Sequence, residues 1–147
     1  MSEASTFIYV TYIYTTPEKL WAALTTPAFI KQYWMGIDAE SDFQAGSSWR
    51  LKHADGRVFD SGEILEADPP RRLVIKWRHE LMPELNAEGW ARCVMELEPD
   101  DHGAVKLTVT HTLDQPKPNS KFIKAVSGGW PHILSNLKTM LEMKTAV

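Results

Sequence analysis

The chain has 147 residues, a formal net charge of −3 at pH 7 and ordinary globular proportions, 44% hydrophobic and 24% charged. This length predicts one domain over residues 1–147 with a self-sufficient core, and the weak negative charge, with no basic run longer than Arg71-Arg72, argues against a nucleic-acid partner. The single cysteine, Cys93, excludes an internal disulfide and no segment has the pattern of a signal peptide or a membrane span, so we expect a cytoplasmic protein.

The N-terminal part predicts one strand followed by two short helices. Residues 6–14, TFIYVTYIY, are β-branched and aromatic on both faces, which is typical of a central strand in a sheet. Thr16 and Thr26 are each followed by a proline, and this order of a capping residue and a proline indicates the start of a helix.

The middle of the chain alternates between apolar and polar residues, as strands with one buried face do. Because these strands follow one another through short turns, they predict an antiparallel sheet. Gly62 interrupts the alternation and is expected to form a β-bulge, and residues 80–89 are interpreted as a loop with solvated glutamates. The predicted inward residues are Trp49, Leu51, His53, Leu73, Ile75, Trp77, His79, Ala91, Cys93, Met95, Leu97, Val105, Leu107, Val109, His111 and Leu113.

The last predicted element is an amphipathic helix with an unusual beginning. Apolar residues recur at three- and four-residue spacings from Ile133 to Leu141, which is one face of a helix. Before them, Gly128, Gly129 and Pro131 disfavour a helix interior. We therefore expect these three residues to kink the helix, or to divide it into a piece near residues 119–127 and a longer piece from residue 130.

No motif of a nucleophile, a phosphate-binding loop or a zinc site is present, so no cofactor and no metal are expected. The remaining chemical candidates are His53, His79 and His111, which each lie towards the end of an inward stripe. They are either partly solvated residues near the rim of the sheet or polar groups in a pocket that serve as acid, base or ligand anchor.

Three segments together carry a resemblance to a known family. They are TPEKLWAALTTP from Thr16, with Trp34 beyond it, GEILEADPPRRLVIKW from Gly62 to Trp77, and GWPHILSNLKTMLE from Gly129. In this order and spacing they closely resemble proteins like the activator of the Hsp90 ATPase, within the START-like (SRPBCC), birch-pollen-allergen-like superfamily.

The resemblance implies an α+β helix-grip fold, in which a curved antiparallel sheet wraps a long C-terminal helix and two short helices follow strand 1. Such proteins usually keep an apolar cavity between sheet and helix, where members bind lipids, polyketides or flavonoid-like molecules and some relatives catalyse a reaction. The eukaryotic namesake, which joins a similar domain to another, stimulates a chaperone ATPase.

We therefore expect the chain to bind a small hydrophobic ligand in this cavity. The alternatives are an enzyme acting on such a ligand, with His79 or His111 as acid or base, and a chaperone-contacting or stress-response module; a homodimer is left open. In the predicted cavity, Trp34 and Trp130 lie at the mouth, and His79 and His111 make the polar contacts that orient the ligand. The expected ligand-binding residues are Trp34, Trp49, Trp77, His79, Met95, Val109, His111, Trp130 and Leu134.

Overall fold

A computed structural model describes residues 5–146, with side chains described as far as residue 143. The elements are, in chain order, strand β1 (Thr6–Ile13), helices α1 (Pro17–Thr25) and α2 (Pro27–Tyr33), strands β2 (Asp38–Glu40), β3 (Ser48–Lys52), β4 (Val58–Asp68) and β5 (Arg72–His79), helix α3 (Pro83–Asn86), strands β6 (Ala91–Pro99) and β7 (Val105–Leu113), and helix α4 (Lys121–Ala146).

All seven strands form one antiparallel sheet with the order β1-β7-β6-β5-β4-β3-β2. The inner face of the sheet packs with α1, α2 and α4 around one apolar core, so the predicted helix-grip fold is confirmed. The alternation on β6 and β7 is also confirmed, because their inward residues from Ala91 to Leu97 and from Val105 to Leu113 are buried. Among the described residues, no helix is long and apolar enough to cross a membrane.

Strand β1 is an edge strand, so the prediction of a central position was wrong. It pairs with β7 on one side only. On its outer face Ile8, Val10 and Tyr12 are exposed, whereas Ile13 is fully buried on the inner face. Apolar residues on both faces predict double burial, but β-branched and aromatic side chains are enriched in strands generally, so this composition alone does not separate an edge strand from a central one.

Gly62 does not form the predicted bulge. The registers shift instead between Leu51 and Lys52 and between Ile64 and Glu66. Gly62 pairs with Trp49 on β3 and with Trp77 on β5, and a Cβ at this glycine would lie 1.7 Å from the carbonyl oxygen of Lys76. The glycine is needed for close packing of the backbone, and the rings of the two flanking tryptophans meet with centroids 4.4 Å apart.

The segment after β5 is less solvated than predicted. It contains the short helix α3, and the side chain of Glu88 is 1% exposed. The Glu88 carboxylate accepts hydrogen bonds from Ser120 Oγ (2.5 Å), the backbone N–H of Lys121 (2.9 Å) and that of Phe122 (3.3 Å). These donors belong to the start of α4, so Glu88 serves as a cap from outside the helix.

Helix α4 is continuous from Lys121 to Ala146, so the predicted division near residue 128 was wrong. Pro131 lies inside the helix, where a proline costs about 3 kcal/mol because one backbone hydrogen bond is lost. Burial of Trp130, Leu134 and Leu137 against the sheet offsets this cost, since each large apolar side chain contributes about 1.5–3 kcal/mol on burial.

The C-terminal half of α4 also reaches the free edge of β1. The Lys138 ammonium donates a hydrogen bond to the carbonyl oxygen of Tyr12 at 2.6 Å, and the Glu142 carboxylate accepts one from the backbone N–H of Tyr14 at 3.0 Å. Lys138 and Glu142 also form an ion pair one helical turn apart. One backbone group near the end of β1 and one just beyond that strand thus obtain partners from the helix.

Candidate functional site

A cavity of about 240 Å³ lies between the end of β5, the C-terminal end of α2, α3 and the first half of α4. Its walls are mainly apolar, and its polar side chains come from the ends of β4 and β5. The lining residues are Trp34, Asp60, Trp77, His79, Met82, Leu85, Phe122, Ala125, Val126, Gly129, Trp130 and Ile133.

One face of α4 supplies half of this wall. Phe122, Val126, Gly129 and Ile133 are spaced by three or four residues, so they project from the same side of the helix. At Gly129 a Cβ would meet only Ile133 Cδ1, at 3.9 Å, so the missing side chain leaves space that another residue would fill. Gly128, by contrast, is exposed and has nothing within 4 Å of its Cβ position.

Three tryptophans from three elements form the inner end of the cavity. The ring centroids of Trp34 and Trp130 are 5.2 Å apart, those of Trp34 and Trp77 6.0 Å, and those of Trp77 and Trp130 5.8 Å. Two of these pairs are edge-to-face, and such pairs contribute about 0.5–1.5 kcal/mol each beyond their burial. The cluster therefore forms an aromatic wall at this end of the cavity.

His111 lies behind this wall, is fully buried and does not line the cavity. Its Nδ1 accepts a hydrogen bond from Trp130 Nε1 at 3.1 Å, which requires Nδ1 to be unprotonated and places the proton of the neutral ring on Nε2. Burial lowers the pKa of His111 to about 3, so the ring is neutral at physiological pH. His111 thus packs and positions Trp130.

His79 has a different environment, because its partner is a carboxylate. Asp60 on β4 pairs in register with His79 on β5, and His79 Nδ1 lies 3.1 Å from Asp60 Oδ1. The two side chains are 12% and 15% exposed. An ionised carboxylate can only accept, so Nδ1 carries the proton and Nε2 of the neutral ring is left with its lone pair.

A second cleft of about 540 Å³ adjoins the cavity, and Trp34, Asp60 and His79 line both. The cleft also contains the ring of His53, which packs on Phe59 with centroids 3.7 Å apart. The histidine–aspartate pair consequently lies at the junction of two accessible spaces.

Two nitrogens in the cavity wall lack partners. Neither Trp77 Nε1 nor His79 Nε2 has a hydrogen-bond partner among the described residues, although both atoms are buried. A buried polar atom without a partner costs about 1–3 kcal/mol, and native proteins leave few of them. One is a donor and the other an acceptor, and they belong to neighbouring inward positions of the same strand.

The structure brings together part of the set expected from sequence. Trp34, Trp77, His79 and Trp130 line the cavity. Trp49, Met95 and Leu134 instead surround a void of about 10 Å³, which holds at most about one water, so they form closed packing beside the cavity. Val109, like His111, is fully buried and lines neither space. The ligand-binding role of all nine residues stays a prediction.

Sequence reasoning missed several lining residues. Phe122, Val126 and Gly129 share the helical spacing of Trp130 and Ile133, so extending the amphipathic pattern towards the N-terminus could have found them. Asp60 gives no local signal, because its role depends on its register opposite His79. In the range the structure describes, no group of three or more His, Cys, Asp or Glu side chains could hold a metal ion.

Solved structures of similar fold come from several organisms. Protein MLL2253 of Mesorhizobium loti has a TM-score of 0.79 at 23% identity, with 94% of this chain and 97% of that chain covered. PFC0360w, described as an HSP90 activator from Plasmodium falciparum, has a TM-score of 0.76 at 23% identity, covering 93% and 96%. The Aha1 dimer from Colwellia psychrerythraea has a TM-score of 0.73 at 19% identity, also covering 93% and 96%.

These likenesses at low identity establish the fold. No curated protein matches the chain significantly. The family described as activator of Hsp90 ATPase homolog 1-like protein matches residues 14–142, which include the two short helices, all strands from β2 to β7 and most of α4. The chain therefore belongs to the family of activator of Hsp90 ATPase homolog 1-like proteins.

Proposed function

We propose that the protein binds a small, mainly apolar molecule with at least one polar group in the cavity beside α4. The observation that carries this proposal is the pairing of an apolar wall with two buried nitrogens that lack partners, Trp77 Nε1 and His79 Nε2. Ligand sites combine these same features, a mostly apolar surface and a few polar atoms that fix orientation.

The dimensions favour a compact ligand. The cavity of about 240 Å³ is slightly smaller than typical ligand pockets, which hold about 300–1,000 Å³, and the adjoining cleft of about 540 Å³ lies within that range. A ligand with one aromatic or aliphatic ring system would fill the cavity, and its polar group would lie beside Trp77 Nε1 and His79 Nε2. Lipid-like, polyketide-like and flavonoid-like molecules all include members of this shape.

The two neighbouring glycines of α4 provide a matched test. Gly129→Leu places a side chain in the cavity, whereas Gly128→Leu places the same side chain in solvent. Both changes raise helix propensity, by up to about 1 kcal/mol relative to glycine, so both variants should fold. Binding is followed by quenching of tryptophan fluorescence with a panel of apolar aromatic compounds, after native mass spectrometry has identified any compound that co-purifies.

We expect Gly129→Leu to weaken binding at least tenfold and Gly128→Leu to leave it within about twofold. Equal affinities of the two variants would place the bound compound outside this cavity. A protein that binds no member of the panel and carries no co-purified compound would contradict the proposal.

A second candidate function is self-association, which the exposed apolar stripe of β1 favours. Ile8, Val10 and Tyr12 project from the outer face of this strand, and the similar structure from Colwellia psychrerythraea is described as a dimer. Exposed apolar patches of this kind often mark interaction surfaces. Light scattering should then report a dimer that Val10→Lys converts to a monomer, and a monomeric wild-type protein at high concentration would exclude this role.

A further inference from the structure

The two histidines that the sequence offers as alternatives are not equivalent in the structure. His111 is sealed, and its Nδ1 already accepts the Trp130 N–H. His79 lies at the junction of cavity and cleft, is hydrogen-bonded to a carboxylate and keeps a lone pair on an atom without a partner. Only His79 has the arrangement of a general base, in which a second group orients the ring.

We propose that His79, positioned by Asp60, removes a proton from the carbon next to a carbonyl group of an apolar ketone bound in the cavity, while Trp77 Nε1–H binds the carbonyl oxygen. This inference rests on the proposed function, since the ketone occupies the same cavity. Asp60 does not touch the substrate; it holds the tautomer that leaves Nε2 free to accept the proton.

The placement of Trp77 supplies the second half of the site. Trp77 and His79 are inward residues two positions apart on β5, so their Cα atoms are separated by about 7 Å along the strand. The indole Nε1 can only donate, and it has no acceptor among the described residues. A donor aimed at an oxygen that becomes negative stabilises the transition state more than the ground state.

The proton transfer is balanced without a further reactant. The C–H bond breaks, the proton moves to His79 Nε2, the electron pair forms a carbon–carbon double bond, and the carbonyl becomes an enolate oxygen bound by Trp77 Nε1–H. Return of the proton to the same or to a conjugated carbon regenerates a ketone and the neutral imidazole. The outcome is exchange or isomerisation, with no oxidant, reductant or leaving group.

The composition of the walls favours this chemistry over acyl transfer. No Ser, Thr or Cys side chain is among the residues that line the cavity or the cleft, so the site offers no hydroxyl or thiol nucleophile next to His79. A ketone that fills the mainly apolar cavity would displace water from it, which strengthens hydrogen bonds to a developing enolate.

Access to the two nitrogens requires a side chain to move, because each has less than 1 Å² of exposed surface. Trp34 is placed to do so, since it lines both spaces and is only partly buried. It ends α2, and the next two residues, Met35 and Gly36, have positive φ angles of 46° and 75°. The backbone N–H of Trp34 donates to the carbonyl oxygen of Ile30 and that of Gly36 donates to the carbonyl oxygen of Lys31, so the end of α2 stays closed while rotation about the side-chain bonds of Trp34 moves its indole.

The test uses exchange of carbon-bound protons for deuterium in 2-tetralone and phenylacetone, followed by NMR in D₂O. The wild-type protein should accelerate exchange at least a hundredfold over buffer, and His79→Gln should remove this acceleration, since general bases contribute about 10²–10⁴-fold. Asp60→Asn should lower kcat about tenfold with little change in KM. Added imidazole should restore part of the rate to His79→Ala, and the surface variant His102→Gln should match the wild type.

The outcomes separate this inference from the proposed function. Ketones that quench tryptophan fluorescence but exchange at the buffer rate would overturn the inference and leave ligand binding intact. Failure of both ketones to bind would overturn the substrate class, while a co-purified apolar compound in the native mass spectrum would still support the cavity as a ligand site. Undiminished exchange in a folded His79→Gln variant would show that another group removes the proton.

Discussion

We predict that Glu88→Gln destabilises the protein more than any change to an exposed glutamate of the same segment. The Glu88 carboxylate accepts three hydrogen bonds at the start of α4, and Lys117 Nζ lies 3.6 Å from it. Glutamine keeps one acceptor oxygen, but it loses the charge and turns its amide NH₂ towards N–H and O–H donors. A backbone N–H of the longest helix then loses its partner in a buried position.

The expected cost is about 2–3 kcal/mol. A hydrogen bond to a charged group contributes about 1.5–3 kcal/mol, and a negative charge at a partly buried helix N-terminus up to about 2 kcal/mol; these two effects overlap. For a chain of this length, each kcal/mol lowers Tm by about 2–4 °C, so Tm should fall by about 5–10 °C.

Glu84 provides the matched control, because both glutamates contact Lys121. The Glu84 carboxylate binds Lys121 Nζ at 2.8 Å, but both side chains are 65% exposed. Exposed ion pairs contribute little, so Glu84→Gln should leave Tm unchanged within error. Thermal and urea unfolding are followed by circular dichroism. The reasoning is refuted if Glu88→Gln and Glu84→Gln have the same Tm.

The pH dependence provides an independent check of the same contact. Burial alone would raise the pKa of the Glu88 carboxyl, but the hydrogen bonds from Ser120, Lys121 and Phe122 outweigh burial, and the pKa is lowered. An unfolded glutamate has a pKa of about 4.3, so the contribution of Glu88 is complete above that pH and is lost as the pH falls through the lower folded value. The difference between wild type and Glu88→Gln should therefore shrink below about pH 4.

Two further predictions concern the sheet and the buried histidine. Gly62→Ala should lower the free energy of unfolding by at least about 3 kcal/mol or prevent folding, because its Cβ would overlap the Lys76 carbonyl. Gly128→Ala should instead raise the free energy of unfolding by up to about 1 kcal/mol. Urea unfolding compares the two variants, and a stable Gly62→Ala protein would contradict the close backbone packing described at Gly62. Burial lowers the pKa of His111 to about 3 in the folded protein, against about 6.5 in the unfolded chain. Between about pH 3 and 6.5 the unfolded chain therefore binds more protons than the folded protein. The free energy of unfolding should accordingly fall by about 1.4 kcal/mol for each pH unit below 6.5. The non-titrating variant His111→Gln should flatten this slope between pH 6 and 4.5, and an unchanged slope would assign it to other groups.

The regular parts of the fold follow from local patterns. Strands β6 and β7 alternate strictly, and each inward residue predicted for them is buried. At the start of α1, Thr16 Oγ1 accepts a hydrogen bond from the backbone N–H of Lys19, as its position before Pro17 predicts. The hydroxyl of Thr26 makes no such bond at the start of α2, although that helix begins where predicted.

The remaining features depend on which segments lie side by side, which one sequence does not encode. Asp60 is a site residue because its register places it opposite His79, and this register includes a shift between Ile64 and Glu66 that leaves no mark in the residue pattern. Glu88 is buried because α4 begins beside it, more than thirty residues later in the chain. For the same reason, Gly62 could be recognised as an interruption of a strand, but not as the residue between Trp49 and Trp77.

The contacts of α4 with β1 have a consequence for aggregation. An unpaired strand edge is a template on which another chain can add a strand, and β1 is the long apolar edge of this sheet. Lys138 binds the backbone carbonyl of Tyr12 near the end of β1 and Glu142 binds the backbone N–H of Tyr14 just beyond it, while the opposite edge, β2, has only three residues and carries Asp38 and Glu40. The short β2 edge and the C-terminal end of β1 are thus less open to strand addition, and the helix that borders the cavity also covers that end of β1. We expect detachment of the turns that carry Lys138 and Glu142 to expose the end of β1 to strand addition by another chain.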